Sequence, residues 1–148
     1  MSIRISINMN YVRSVADKLV SKENLLKNRI KRLITNDCTN FEVIGEELYF
    51  KKNHIYNKGQ CDLWLASNNF LLSLELKTGQ INDFEKKNKL LKQTIKYKSI
   101  MEHYYPDYYV YGLGIYLSNC GKFQYYELGT NNDISLLKES IESNCNIN

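Results

Sequence analysis

Apolar and polar positions along this 148-residue chain follow two rhythms, and each change of rhythm marks an element. Ile3, Ile5, Ile7 and Met9 alternate with polar residues at the period of a strand. From 11 to 35, Val12, Val15, Ala16, Leu19, Leu26, Ile30, Leu33 and Ile34 share one helical face. Glu23 falls near the middle of that stripe, where a carboxylate is costly without a partner. A break near Ser21 would instead make it a first-turn residue that favours the helix dipole. Asn36 to Asn40 ends the helix with turn chemistry, and Phe41 to Lys51 reads as a strand or hairpin with Gly45 as a bulge or turn. Residues 52–59 read as a polar, basic loop.

Two short strands then carry the candidate chemistry. Gln60 to Leu65 and Phe70 to Lys77 are separated by the turn-prone Ala66-Ser67-Asn68-Asn69, which predicts a hairpin. Along the second strand Glu75 and Lys77 point one way and Leu72, Leu74 and Leu76 the other. The hairpin would set Asp62 beside Glu75. Two carboxylates with a lysine make a divalent-metal site with a cation to position a nucleophile. The plain alternative is a solvated polar face.

Asn82-Asp83 offers an N-cap to a long helix over 84–104, which ends before Pro106. On its wheel Phe84, Leu90, Leu91, Thr94, Ile95 and Met101 make the expected core face. Lys86, Lys89, Lys92 and Lys96 form a stripe roughly opposite, and Gln93 and Tyr97 sit on the border, where they could reach the rim of a site. Tyr108 to Leu117 reads as a strand, Asn119-Cys120-Gly121 as a tight turn, Lys122 to Leu128 as a further strand, and 134–143 as a last helix capped within Asn131 to Asp133. The order is that of an α/β protein with a mixed sheet flanked by helices.

Composition narrows the class. The length suits a single domain over 1–148, and 43% hydrophobic with 24% charged residues fits a globular fold. No apolar run approaches the roughly 18 residues of a membrane span, so no membrane partner is expected. The four cysteines, 38, 61, 120 and 145, show no C-x-x-C spacing and there are two histidines. Free thiols in a reducing, intracellular compartment are therefore expected, rather than a structural zinc or an iron–sulfur cluster. The net charge of +4 permits a polyanionic partner without demanding one. Its distribution says more, because Lys86, Lys87, Lys89, Lys92, Lys96 and Lys98 crowd one helix with no acid among them. Tyr104, Tyr105, Tyr108, Tyr109, Tyr111 and Tyr116 could serve as core, dimer surface or stacking platform.

Taken in order, Glu23, Gly59-Gln60-Cys61-Asp62, Glu75-Leu76-Lys77-Thr78-Gly79 and Gln93-Thr94-Ile95-Lys96-Tyr97 resemble the PD-(D/E)xK nucleases. The segments look like the G-x-x-D, E-x-K-T-G and Q-x-x-x-Y of its RecB-like branch, over about residues 20–117. Cys61 replaces the namesake proline. No histidine precedes the aspartate on the first helix, since His54 lies in a loop, and Glu23 instead fits the Holliday-junction-resolvase-like branch.

The resemblance implies a restriction-endonuclease-like α-β-β-β-α-β core and hydrolysis of phosphodiester bonds to a 5′-phosphate and a 3′-hydroxyl. Asp62, Glu75 and the Leu76 carbonyl would hold a magnesium or manganese ion (Mg²⁺ or Mn²⁺), and Glu23 would bind a second ion or steady a water. Lys77 would orient or help deprotonate the attacking water, Gln93 and Tyr97 would position the site, and Lys86, Lys89, Lys92 and Lys96 would hold nucleic acid. DNA is favoured over RNA, in repair, recombination, or the processing of viral or mobile-element DNA, alone or with a helicase or other partner. A resolvase-type homodimer, an RNA endonuclease and an inactive nucleic-acid-binding or assembly module are the rival readings.

Overall fold

The computed structural model describes residues 21–36, 39–48, 51–52, 55–56 and 61–148. The expected strand at 2–9, the first part of the helix at 11–20, Cys38, His54 and Gly59-Gln60 lie outside the described residues. Among the described residues, helices α1 (Lys22–Asn36), α2 (Phe84–Tyr104) and α3 (Asn132–Asn144) accompany strands β1 (Glu42–Leu48), β4 (Cys61–Ala66), β5 (Phe70–Gly79), β6 (Tyr109–Ser118) and β7 (Phe123–Leu128). The stretch expected as a basic loop holds a small two-stranded hairpin, β2 (Lys51–Lys52) with β3 (Ile55–Tyr56).

The five longer strands form one mixed sheet in the order β1-β4-β5-β6-β7. Among the described strands only β5 and β6 run parallel, and α2 makes the crossover between them, as a parallel pair requires. The resulting α-β-β-β-α-β order, with helices on the sheet, is consistent with the restriction-endonuclease-like core. Gly45 marks a bulge, since the register of β1 on β4 shifts between Val43 and Gly45.

Two apolar clusters sandwich the sheet. Leu63, Leu65, Leu72, Leu74 and Leu76 pack against Leu26 and Ile30 of α1 and Ile134 and Leu137 of α3. Trp64 and Leu71 pack against Tyr97, Ile100 and Met101 of α2. A Cβ on Gly114 would lie 2.6 Å from Thr94 Oγ1 and 3.2 Å from Leu90 Cγ, so the glycine is what lets α2 lie close on β6.

The face that α2 buries is rotated from the expected one. Phe84 is 76% exposed and Ile95 47%, whereas Leu90, Thr94, Tyr97 and Met101 form the buried stripe. These four recur at helical spacing, and Tyr97 joins them because its ring packs edge-to-face on Trp64, centroids 6.4 Å apart. Lys87 is buried too, donating to the Ile81 carbonyl with its ammonium 5.3 Å from the Tyr116 ring centroid. Lys86, Lys89, Lys92 and Lys96 form the exposed stripe as expected. Among the described residues no helix is long and apolar enough to cross a membrane, and Cys61, Cys120 and Cys145 are free thiols.

Candidate active site

Among the described residues, the site lies where the pairing of two strands stops. Pairing of β4 with β5 runs from Ala66↔Leu71 to Leu63↔Leu74, whereas β5 stays paired with β6 as far as Gly79↔Ser118. Among the described residues the β4 side of β5 therefore has no ladder beyond Leu74, and acidic side chains take up its amides. The Leu76 N–H donates to Asp62 Oδ2 at 2.9 Å, and the Thr78 N–H reaches Glu23 Oε1 at 3.5 Å. In a strand the N–H and C=O of one residue leave on the same side, so the Leu76 carbonyl opens on that side as well.

Asp62 and Glu75 meet there. The Asp62 N–H donates to Glu75 Oε1 at 3.2 Å, which brings the two carboxyls close enough to repel each other when both are charged. Glu75 is only 2% exposed. Burial, and then the Asp62 carboxylate beside it, push Glu75 from 4.5 up to about 9. Burial also raises Asp62, while the Leu76 amide, the Glu75 carboxyl and the Lys27 ammonium pull it down. Both carboxyls are thus raised, and the pair favours keeping a proton between them. Beneath it, the Cys61 thiol donates to the Leu63 and Leu74 carbonyls and is pushed well up by burial and by Glu75.

Lys77 follows Glu75 by two positions on β5 and, by strand alternation, shares its face. Glu23 stands differently from the continuous-stripe expectation. The described helix begins at Lys22, the Ser21 hydroxyl accepts from the Asn24 N–H at 3.2 Å, and Glu23 is a half-buried residue of the first turn. It reaches the end of β5 at Thr78 without joining Asp62 and Glu75 in one ligand group. Among the described residues no three His, Cys, Asp or Glu side chains converge as a metal cage.

Gln93 is half-buried on α2 and hydrogen-bonds none of Asp62, Glu75 or Lys77. Tyr97 lies in the core beneath the sheet rather than at the rim. Lys86 comes nearer than a solvated stripe implies, for its ammonium donates to the Thr78 carbonyl at 3.3 Å. Gly79 makes room for it: a Cβ there would sit 2.5 Å from Tyr116 Oη and 3.1 Å from Lys86 Cδ. That phenol donates to the Gln80 carbonyl at 2.7 Å and so ties the end of β5 to β6.

The residue that sequence reasoning missed is Lys27, 8% exposed on α1. A signal existed in the sequence, since Lys27 follows Glu23 by one helical turn, beside Leu26 and before Ile30.

No family model matches the chain, and no curated protein matches it. Among solved structures it is similar to a FdxN element excision controlling factor protein from Anabaena variabilis, at 10% identity and a TM-score of 0.48, over 72% of this chain and 99% of that one. It is also similar to an XisH family protein from Nostoc punctiforme, at 10% identity and a TM-score of 0.45, over 78% and 84%.

Proposed function

We propose that this chain is a divalent-metal-dependent nuclease that hydrolyses phosphodiester bonds, with DNA as the favoured substrate. The observation that carries the proposal is the Asp62–Glu75 pair, two carboxyls each held by a backbone N–H of the other's strand where the pairing of β4 with β5 stops. An acid pair whose charged form burial disfavours can take a cation in place of a proton. The donor set fits Mg²⁺ or Mn²⁺: two carboxylates and the Leu76 carbonyl are hard oxygen ligands, leaving positions for water and substrate. When bound, the ion would supply Lewis-acid polarisation of the phosphate and a more acidic water.

The chain's own residues do the rest. Asp62, fixed by the Leu76 amide, and Glu75, fixed by the Asp62 amide, set the position of the phosphate along β5. Lys77 orients the attacking water and offsets the charge that develops on the phosphate oxygens. Glu23, at the Thr78 amide, steadies solvent at the end of β5. Lys89, Lys92 and Lys96, exposed along α2, hold the polyanionic backbone.

The test is cleavage of single-stranded, duplex and four-way DNA, with RNA in parallel, in Mg²⁺ or Mn²⁺ by the wild type and by Asp62→Ala. Metal-dependent cleavage lost in the variant supports the reading. Full activity in Asp62→Ala, or none in the wild type on any substrate, refutes it.

A further inference from the structure

Lys87 carries a charge that the fold leaves without a counter-charge. It lies near the start of α2 and is only 8% exposed, yet among the described residues no carboxylate pairs with it. Its ammonium donates to the Ile81 carbonyl and lies beside two rings, 5.6 Å from the Phe84 centroid and 5.3 Å from that of Tyr116. An ammonium has three N–H donors, and the Ile81 carbonyl takes one of them. Lys87 borders a cavity of about 280 Å³ whose walls include Ile81, Tyr116, Ser118, Lys122 and Gln124. A second cation, an amide and a phenol thus surround the same space, and no acid lines it.

The cavity is built, and it adjoins the candidate active site. Lys122 is held by a tight turn, in which the Ser118 hydroxyl accepts from the Lys122 N–H at 3.1 Å and the Ser118 N–H donates to the Lys122 carbonyl at 2.9 Å. The Asn119 N–H donates to the Gly79 carbonyl at 2.8 Å and fastens that turn to the end of β5. Tyr116 is paired with Lys77 on one side and with Gln124 on the other, so the three share one face of the sheet. Neighbouring strands lie about 4.8 Å apart, which puts the row from Lys77 to Gln124 at roughly 10 Å. Asp83, at the foot of α2, is taken up as the cap of that helix, accepting from the Lys86 N–H at 3.1 Å.

Apolar surface stands beside these cations. Phe84 is 76% exposed and Ile81 46%, and Lys87 touches both. An aromatic ring left in water next to a cationic cavity suits a strand with unstacked bases, in which phosphate and base lie side by side. We propose that this cavity is a second phosphate site: Lys87 and Lys122 take a phosphate of a single nucleic-acid strand, and the Phe84 ring stacks the base next to it. A closed duplex keeps its bases inside, so the arrangement selects single-stranded or frayed segments next to the Asp62–Glu75 pair. The proposal deepens the nuclease reading, on which the identity of the ligand as nucleic acid rests.

Binding of a short labelled DNA single strand to the full chain, measured in EDTA so that nothing is cut, tests it. Lys122→Ala and Lys87→Met are each expected to weaken binding about tenfold. Phe84→Ala should weaken it about tenfold for the single strand and leave duplex binding unchanged. Arg32→Ala, exposed on α1 across the sheet, removes a charge elsewhere and should bind as the wild type does. Lys122 and Phe84 are exposed, so their variants decide the matter even if Lys87→Met does not fold. Tighter binding of a strand with a terminal phosphate than of its hydroxyl-ended counterpart, lost in Lys122→Ala, assigns a terminal phosphate. Equal affinity for the two strands, weakened in the variants, assigns a backbone phosphate. A wild type that binds no strand, wild-type affinity in Lys122→Ala and Phe84→Ala, or an equal loss in Arg32→Ala overturns the proposal. Asp62→Ala should still bind the strand in EDTA, so absent cleavage refutes the nuclease reading alone, and intact binding in the cavity variants refutes the cavity alone.

Discussion

The backbone N–H of Asp62 donates to Glu75 Oε1 at 3.2 Å, so each acid of the pair is held by the strand that carries the other, or by its own partner's neighbour: Asp62 Oδ2 in turn accepts from the Leu76 N–H at 2.9 Å. The contact exists because the hairpin of β4 and β5 stops pairing at Leu63↔Leu74, and side chains replace the missing ladder.

The shared proton makes metal-free stability depend on pH. Glu75 is raised from 4.5 to about 9. Below the lower value both folded and unfolded chains hold this proton; between the two values only the folded chain does, so rising pH favours unfolding. Thermal stability in EDTA should fall between pH 5 and pH 9, by on the order of a few kcal/mol from this group. In Glu75→Gln most of that slope should vanish. Saturating Mn²⁺ should flatten it too, since the ion displaces the proton, and its affinity should rise with pH. Equal slopes in wild type and Glu75→Gln would place the titration elsewhere.

Lys77 and Asp62 should fail differently. Lys77→Ala is expected to lose cleavage by about three orders of magnitude, with little change in Mn²⁺ binding. Asp62→Ala should lose both. Loss of metal binding in Lys77→Ala would mean that the lysine holds the site together rather than serving the attacking water.

Gly79→Ala should destabilise the fold by about 1–3 kcal/mol, because its Cβ would meet the Tyr116 hydroxyl at 2.5 Å. Adding Tyr116→Phe removes that oxygen and should recover part of the loss, as read by urea denaturation. A neutral Gly79→Ala would show that β5 can shift at its end without cost.

Nucleic-acid affinity should carry the signature of the α2 stripe. Lys89→Ala with Lys92→Ala is expected to reduce the slope of log K against log salt by about 2, with unchanged Tm. Both side chains are exposed, whereas Lys86 also binds the Thr78 carbonyl and is a poorer probe of phosphate contact alone. An unchanged slope would move the nucleic acid to another face.

Much of this was legible in the chain because local signals agreed with one another. Asp83 accepts from the Lys86 N–H and Asn131 from the Ile134 N–H, so both caps read from sequence are real and fix the starts of α2 and α3. The alternation that sets Leu72, Leu74 and Leu76 against Glu75 holds because both faces of β5 are covered by helices. What was not legible needed tertiary knowledge. Hydrophobicity alone put Phe84 and Ile95 inside α2 and Tyr97 at its border, but the Trp64 ring chooses Tyr97. A helical lysine reads as solvent-facing by default, and only the neighbouring strands reveal that Lys27 is buried and Lys86 folds back onto β5. Of the six tyrosines between 104 and 116, Tyr116 is buried and Tyr111 half-buried against Phe70, while the other four are exposed.

On the proposed reading, Asp62 and Glu75 form one cation site that drives phosphodiester hydrolysis. Mn²⁺ titration of the wild type and of Asp62→Ala by calorimetry, with cleavage of single-stranded, duplex and four-way DNA measured on the same samples, tests it most directly. The expected result is stoichiometric binding and metal-dependent cleavage in the wild type, both lost in Asp62→Ala. A wild type that neither binds Mn²⁺ nor cuts any substrate, or an Asp62→Ala protein that still does both, would contradict it.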